Sequence, residues 1–214
     1  MKDAAIQSTL GVGAAAADRA GRREFDAYYT PNPLVTALLD RHPWLLQCGT
    51  ILEPCAGEGN ISDALKARGA DVITGDIRPE VGADYTWDFT LEGLATYADP
   101  EPPMMPKVGA IITNPPFSES SAFVRAALAI TPNVAMLMRM TWIEPTKDRR
   151  EIWRDTPPSW VHVLNPRPCF TGDGKSDSAT CAWFVWQQQP CPDAPETFLE
   201  PMTDWHHADQ GVLL

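Results

Sequence analysis

Six short runs of hydrophobic residues recur along the chain, separated by turns and by segments with helical spacing. The runs lie at 50–53, 71–76, 108–113, 134–140, 160–164 and 181–186. Each has the length and apolar continuity of a strand that is buried on both faces of a sheet. Helical spacing is found at 60–68, 120–130 and 147–155. Strands that alternate with helices in this way predict an α/β fold with a mainly parallel sheet and right-handed crossovers.

The carboxyl ends of these strands are where functional residues are expected. In open α/β sheets, ligands bind in the crevice outside the carboxyl ends of the parallel strands. The turns that follow 50–53, 71–76 and 108–113 are therefore the first places to search for residues that bind a ligand or carry out chemistry.

The two ends of the chain lack this patterning. Residues 1–24 show no sustained amphipathic period, which predicts a flexible N-terminal arm. Residues 190–214 are acidic and rich in proline, which predicts a tail that lies over the surface or stays mobile. The chain has 214 residues, 44% of them hydrophobic, and this suffices for one buried core in a single domain over 25–189.

Composition indicates a reducing, aqueous compartment. No apolar run reaches about eighteen residues, and the first residues lack the order of a secretory signal, so a cytoplasmic protein without membrane contact is expected. The five cysteines form no CxxC pair, which favours neither a disulfide framework nor a zinc site, and no metal is expected. Nothing in the sequence selects an oligomeric state.

Charge is distributed unevenly along the chain. The net charge of −11 argues against a protein that coats nucleic acid, because such affinity comes from Lys and Arg that neutralise phosphates. Between 139 and 175, however, basic residues outnumber acidic ones, and Arg149 and Arg150 are adjacent. This stretch predicts a local basic face that contacts nucleic acid, with a solvated helix surface as the alternative.

The segment 51–60, ILEPCAGEGN, runs from a strand through two glycines into a helix. Gly57 and Gly59 would let the backbone approach a ligand closely, as in glycine-rich nucleotide-binding turns. Asp76 ends the next strand, where a carboxylate can accept hydrogen bonds from both hydroxyls of a ribose. The pattern favours a nucleotide-containing ligand. A tight turn without a ligand would use the same glycines, and Asp76 can also be a solvated loop acid.

The segment 110–120, AIITNPPFSES, places two prolines directly after a buried strand, where they stiffen the turn and orient the Asn114 amide. An exocyclic amino nitrogen is a poor nucleophile because its lone pair is delocalised into the ring. Two hydrogen-bond acceptors can draw its hydrogens toward a tetrahedral geometry. The Asn114 side-chain oxygen and the Pro115 carbonyl could be those acceptors, while Phe117 stacks on the ring. The alternative is a turn of Asn-Pro-Pro without function.

Together the two segments resemble the cofactor and catalytic motifs of the N6-adenine DNA methyltransferases, particularly their small phage and prophage forms. The matching residues are Glu53, Pro54, Cys55, Ala56, Gly57 and Gly59 in the first motif and Asn114, Pro115, Pro116 and Phe117 in the second. The family's leading motif, which packs on the methionine part of the cofactor, is similar to the upstream Tyr28, Tyr29, Thr30 and Pro31. The resemblance spans 25–186 and combines motif order with strand order, which makes it more specific than either motif alone.

The resemblance implies a fold, a cofactor and a reaction. The fold is a Rossmann-like class I methyltransferase with a seven-stranded, mostly parallel sheet, helices on both faces and an antiparallel last strand at 181–186. The cofactor is S-adenosylmethionine, contacted by Asp76 and the adjacent Ile77, by Asp88 at the adenine amino group, and by Phe89 as a ring wall. The methyl group passes directly to N6 of an adenine in DNA, with Asn114 beside both cofactor and target. The setting is the cytoplasm of a bacterial host, for an enzyme of phage type.

Target recognition has little room in this chain. Larger members of the family carry a separate recognition domain, and here only 142–175 could serve, so recognition is expected to be short, relaxed or supplied by a partner. Phe170 lies where the family often places an aromatic ring that stacks on an extruded base, and Trp142 is the second candidate. Core packing is the alternative for both rings.

The same Asn-Pro-Pro-aromatic turn also serves other substrates. Methylation of adenine in RNA and of a glutamine side-chain amide in protein both act on planar nitrogens, and both are alternatives to DNA. A third alternative is a protein that keeps the cofactor fold as a scaffold without catalysis. The intact Asn114, Asp76 and paired glycines argue against that last alternative.

Overall fold

The computed structural model describes residues 30–97, 107–144, 146–168, 179–187 and 198–202, which form one sheet with helices around it. The strands are β1 (Ile51–Glu53), β2 (Val72–Asp76), β3 (Tyr85–Thr86), β4 (Ala110–Thr113), β5 (Val134–Arg139), β6 (Trp160–Leu164), β7 (Cys181–Trp186) and β8 (Phe198–Met202). Their order across the sheet is β3-β2-β1-β4-β5-β7-β6-β8.

Five α-helices accompany the strands in the described part of the chain. They are α1 (Asn32–Arg41), α2 (Asn60–Ala67), α3 (Leu91–Tyr97), α4 (Ser120–Ile130) and α5 (Lys147–Asp155). Short 3-10 turns lie at Pro43–Gln47, Pro79–Val81 and Met140–Ile143. Within the described ranges, no helix is both long enough and apolar enough to cross a membrane. The three helices predicted from spacing are present, whereas α1 and α3 were not predicted.

The strand directions confirm the predicted sheet. β1 pairs in parallel with β2 and β4, and β4 pairs in parallel with β5. β7 is antiparallel to both of its neighbours, β5 and β6. The expected antiparallel strand at 181–186 is therefore confirmed, and it lies between β5 and β6.

The core has two layers, one on each face of the sheet. Successive strand residues point to opposite faces, so Ile51 and Ile112 pack with one cluster, while Leu52 and Ile111 pack with the other. The first layer is covered by α1 and α2, and the second receives Phe123 and other apolar residues of α4. A sheet sandwiched between helices explains why its central strands are apolar throughout.

One strand corrects the sequence-based description of the C-terminal residues. The sequence predicts a tail over 190–214 that lies over the surface or stays mobile, but Phe198–Met202 forms β8, which pairs in parallel with β6. A strand that contains Pro201 is tolerated here because β8 lies at the edge of the sheet, where one side of its backbone needs no partner. The seven-stranded sheet expected from the resemblance thus gains an eighth strand.

Candidate functional site

The residues predicted to act together gather at one edge of the sheet. β1, β2 and β4 are parallel neighbours, so their carboxyl ends lie side by side. Glu53 and Asp76 are the last residues of β1 and β2, and Asn114 directly follows β4. The edge therefore carries a glycine turn, a carboxylate at the end of the next strand, and the Asn-Pro-Pro-Phe loop.

The glycine turn adopts a backbone conformation that side chains disfavour. Gly57 has φ +53° and Gly59, which precedes the first residue of α2, has φ +85°, both in the left-handed region. The turn is anchored to β2 because the Ala56 N–H donates to the Gly75 carbonyl at 2.9 Å. Backbone is thereby presented at the edge of the sheet with no side chain at either glycine to cover it.

Asp76 accepts four hydrogen bonds from its own chain. Its Oδ2 accepts from the Gly57 N–H at 2.9 Å and from Arg78 Nη2 at 3.2 Å, and its Oδ1 accepts from the Arg78 N–H and Nε, both at 3.0 Å. Burial alone would raise the pKa of Asp76. These hydrogen bonds outweigh burial and hold its pKa below the usual range. Asp76 is therefore a buried carboxylate, and Arg78 is its counter-ion.

Glu53 is the second acid of the site and has the opposite character. Its side chain is 1% exposed, and burial raises the pKa of its carboxyl to about 8, although hydrogen bonds with Ser62 act in the opposite direction. Its Oε2 has no hydrogen-bond partner among the described residues. Glu53 is thus predominantly a neutral acid at pH 7, with one polar atom left for a ligand.

The other residues of the first motif form the floor of the turn. Pro54 and Ala56 are buried, and Cys55 is half-buried. Burial raises the pKa of the Cys55 thiol, so the reactive thiolate form is suppressed. Cys55 packs against the second core layer.

Asn114 is held in one orientation by the segment before α1. Its side-chain Nδ2 donates to the Thr30 hydroxyl at 3.0 Å, across 84 positions of sequence. Its buried Oδ1 has no hydrogen-bond partner among the described residues. A buried carbonyl oxygen without a partner costs free energy, so the arrangement fits an oxygen that a substrate N–H is meant to reach.

The prolines and Phe117 carry the loop from β4 to α4. Pro115 is buried, while Pro116 and Phe117 are half-buried. The Pro116 carbonyl accepts from the Glu119 N–H at 3.0 Å, and the Phe117 carbonyl accepts from the Ser120 hydroxyl at 2.9 Å. These two hydrogen bonds hold the loop that contains Phe117 against the first turn of α4.

Arg139 lies beside the Asn-Pro-Pro-Phe loop and is not part of the sequence motifs. It is the last residue of β5, the strand that lies beside β4, and its guanidinium lies 5.0 Å from the centre of the Phe117 ring. A cation at this distance over an aromatic face is attracted by the ring quadrupole. The signal that could have found it is its position, since Arg139 ends an otherwise apolar strand at the carboxyl edge.

The residues expected around the cofactor adenine differ in exposure. Ile77 is 51% exposed beside Asp76, and Asp88 is exposed as well. Phe89 is 2% exposed and packs 5.7 Å from the Phe123 ring and 6.0 Å from the Trp87 ring, between ring centres. Ile77 and Asp88 are therefore accessible to a ligand, whereas Phe89 packs in the second core layer.

Of the two aromatic candidates for base stacking, the structure describes Trp142 but not Phe170. Trp142 is 2% exposed and packs edge-on against Phe184 and Trp186, so no ring face is available to a base. Core packing, the alternative for this ring, is what the structure favours. Phe170 lies outside the described residues, as do Tyr28 and Tyr29 of the leading motif. Phe117 is the half-buried ring of the loop that begins at Asn114.

A groove of about 400 Å³ extends from Phe117 toward the basic helix α5 and has Arg149 and Arg125 among its lining residues. Arg149 Nη1 donates to the Thr141 carbonyl at 2.8 Å, which holds its side chain across the 3-10 turn after β5. Arg150 is exposed. The groove therefore joins the Asn-Pro-Pro-Phe loop to part of the predicted basic face, and the acidic Glu92, Glu119 and Asp148 line it as well.

No protein-family model and no curated protein matches the chain. Several solved structures, however, have a similar arrangement of strands and helices. A type I restriction-modification methyltransferase subunit from Streptococcus thermophilus matches with a TM-score of 0.57 and 13% identity, over 81% of this chain and 47% of that chain. The M protein of the type I restriction enzyme EcoKI matches with a TM-score of 0.56 and 14% identity, over 81% of this chain and 48% of that chain.

A third solved structure indicates the methyltransferase class to which this fold corresponds. A protein from Listeria monocytogenes, described as a putative class I S-adenosylmethionine-dependent methyltransferase, matches with a TM-score of 0.54 and 14% identity, over 82% of this chain and 67% of that chain. The chain has the class I methyltransferase fold. It spans about half the length of the first two structures. The fold class predicted from the sequence is thus confirmed.

Proposed function

We propose that the protein is an S-adenosylmethionine-dependent methyltransferase that methylates an exocyclic amino group, with N6 of adenine in DNA as the substrate. One observation carries the proposal above the others. The Thr30 hydroxyl accepts a hydrogen bond from the Asn114 Nδ2. The buried Oδ1 points away from that bond and has no partner among the described residues, so it can accept a hydrogen bond from a substrate. A buried acceptor without a partner costs free energy, and at the carboxyl end of β4 a substrate N–H can supply that partner.

The site has features that fit the cofactor. The left-handed turn at Gly57 and Gly59 exposes backbone, and Asp76 stands at the neighbouring strand end, where a ribose would lie. Ile77 offers exposed apolar surface for an adenine ring, and Glu53 offers a buried oxygen without a partner among the described residues. Bound there, S-adenosylmethionine would supply a methyl group on a positively charged sulfur. Thr30, Pro31 and Asp88 complete the proposed contacts.

The residues of the catalytic loop have separable tasks in this proposal. Asn114 Oδ1 and the Pro115 carbonyl accept hydrogen bonds from the two N–H groups of the target amine, which makes the nitrogen lone pair available for attack. The amine releases one of these two protons once it has gained the methyl group. The bond to the Thr30 hydroxyl anchors the Asn114 side chain, and with Nδ2 donating to Thr30 the Oδ1 atom is left to accept from the target amine. Phe117 stacks on the target base. These steps require no metal.

DNA is favoured over the alternative substrates by two lines of support. The motifs resemble those of adenine methyltransferases that act on DNA, and two of the solved structures with this fold are subunits of restriction enzymes. Arg149, Arg150 and Arg139 lie near the catalytic loop or along α5, where phosphates could be neutralised. An adenine within a duplex must leave the base stack, which costs a few kcal/mol. Single-stranded DNA avoids that cost.

The proposed function is tested by following a labelled methyl group. The protein is incubated with methyl-tritiated S-adenosylmethionine and, in parallel, with DNA, RNA and a protein extract, and the products are digested to nucleosides or amino acids. Label on N6 of deoxyadenosine is expected. Label on cytosine N4 would keep the mechanism and change the base, while label on RNA adenine or on protein glutamine would replace the substrate. Absence of transfer to all three would overturn the proposal.

The basic helix gives a prediction about nucleic-acid affinity. The double variant Arg149→Glu and Arg150→Glu is expected to bind DNA of any sequence more weakly, because phosphate contacts carry no base information. The slope of log affinity against log salt should fall by about 1 for each phosphate that is no longer neutralised. Fluorescence anisotropy across a salt series measures both quantities.

A control for that experiment is available on the same helix. Arg154 is exposed and pairs with its neighbour Asp155 at 2.6 Å, outside the groove. Arg154→Glu introduces the same kind of charge reversal without touching the groove. An equal loss of affinity in this variant, or no loss in the double variant, would show that α5 is only a solvated face.

A further inference from the structure

Asp76 has its acceptor capacity fully used by its own chain. A carboxylate offers about four lone-pair positions, two on each oxygen. The Gly57 N–H and the Arg78 N–H take one position on each oxygen, and the Arg78 side chain takes the remaining position on each through Nη2 and Nε. Two hydroxyls of a ribose, each donating one hydrogen bond, need two of these four positions.

The two kinds of donor differ in how readily they can leave. The N–H groups of Gly57 and Arg78 are parts of the backbone that shapes the glycine turn and the residues after β2, so losing them would break both segments. The guanidinium, by contrast, ends a long side chain that is 23% exposed, and it can leave Asp76 by a change of rotamer without any movement of the backbone. Its two donors, Nε and Nη2, occupy one lone-pair position on each Asp76 oxygen. The two hydroxyls of a vicinal diol would need the same two positions.

We propose that the Arg78 side chain competes with the ribose diol of the cofactor for Asp76, so that cofactor binding exchanges one pair of donors for the other. This inference rests on the proposed function. It makes Arg78 a residue that sets cofactor affinity, in addition to the contacts predicted from the motifs. Glu80, an exposed carboxylate two residues along the chain, also attracts the guanidinium electrostatically.

The exchange has two physical consequences. The ion pair between Arg78 and Asp76 must be broken for each cofactor that binds, so an affinity measured in wild type includes that cost. Salt screens a partly exposed ion pair, so cofactor affinity should rise as salt concentration increases. A cation near a ligand with a net positive sulfonium adds unfavourable charge as well. The demethylated product, which lacks the sulfonium charge, is therefore the cleaner probe.

The test measures binding of S-adenosylhomocysteine by calorimetry to wild type, Arg78→Met and Asp76→Ala. Arg78→Met is expected to bind about tenfold more tightly than wild type, equivalent to about 1.4 kcal/mol. Its affinity should no longer rise with salt. Asp76→Ala should bind more weakly than wild type. The gain in Arg78→Met should be smaller for the 2′-deoxy analogue of the ligand, which needs only one of the two positions.

Two controls keep the outcomes distinct. Arg68→Met removes another arginine that pairs with a carboxylate, Asp40 at 2.8 Å, but away from the glycine turn, and it should leave binding unchanged. Arg78→Lys keeps the charge without the planar fork, and it should bind with intermediate affinity. Thermal unfolding of each variant confirms that it is folded. Equal or weaker binding by both Arg78 variants, with wild type binding normally, would overturn the exchange. Failure of all folded proteins to bind would overturn the proposed function together with this inference.

Discussion

Asn114→Ala is expected to lower the rate of methyl transfer by about 10²- to 10³-fold while leaving the affinity for S-adenosylhomocysteine nearly unchanged. The reason is that Asn114 Oδ1 is assigned to the target amine, and its loss removes an aligned acceptor that acts in the transition state. Single-turnover rates with saturating cofactor, together with calorimetry of cofactor binding, measure the two quantities separately. A rate within about tenfold of wild type, an effect of only about 1.4 kcal/mol, would reduce the motif to a structural turn.

Two further substitutions sharpen this test. Asn114→Asp keeps an oxygen acceptor and is expected to retain measurable activity, whereas Asn114→Ala should retain almost none. Thr30→Val removes the hydroxyl that accepts the hydrogen bond from the Asn114 amide and leaves the Asn114 side chain without this anchor. It should slow transfer although Asn114 itself is intact. Thr30→Ser, which keeps the hydroxyl, serves as the matched control and should stay close to wild type.

The second large effect concerns Glu53, which is expected to make the free energy of unfolding decrease as pH rises. Because its pKa is raised from the ordinary 4.5 to about 8 in the folded protein, the native state binds more protons than the unfolded chain between those pH values. The stabilising contribution is fully present below pH 4.5 and is lost as pH rises toward 8. The whole change is on the order of 5 kcal/mol. Glu53→Gln is expected to abolish this decline.

Urea unfolding at a series of pH values measures the decline in wild type and in the variant. The comparison is made between slopes, since the Gln amide brings a donor of its own that changes absolute stability. Glu58→Gln is the matched control, because Glu58 is an exposed acid in the same turn. It should follow the wild-type slope. A Glu53→Gln variant that loses stability with pH as steeply as wild type would show that Glu53 is not the group responsible.

Much of the framework follows from local patterns in the sequence. Apolar runs predicted the strands from β1 to β7 with the exception of the two-residue β3, which is too short to leave a pattern. The glycine turn and the Asn-Pro-Pro loop were placed at one edge of the sheet because parallel strands end together. Sequence patterns therefore predict the position of the site and the kinds of residue in it.

The orientation of side chains within the site did not follow from the sequence. Thr30 and Asn114 are 84 positions apart, and the bond that orients the amide depends on how the segment before α1 docks against the sheet. Arg78 follows Asp76 by only two positions, but nothing local shows that its side chain folds back onto that carboxylate. The sequence leaves the environment of Trp142 open for a related reason, because an aromatic ring after a strand can face either the core or the cleft.

The position of β7 has a consequence for how the chain is assembled on the ribosome. β5 and β6 are not paired with each other in the sheet, because β7 inserts between them and pairs with both. All six residues of β7 are buried, and it emerges after both of its partners. Until Cys181–Trp186 has been synthesised, β5 presents an apolar strand edge with no partner, a known route to intermolecular pairing. Nascent chains that stall before this strand should therefore depend on chaperones, and chains released there should aggregate.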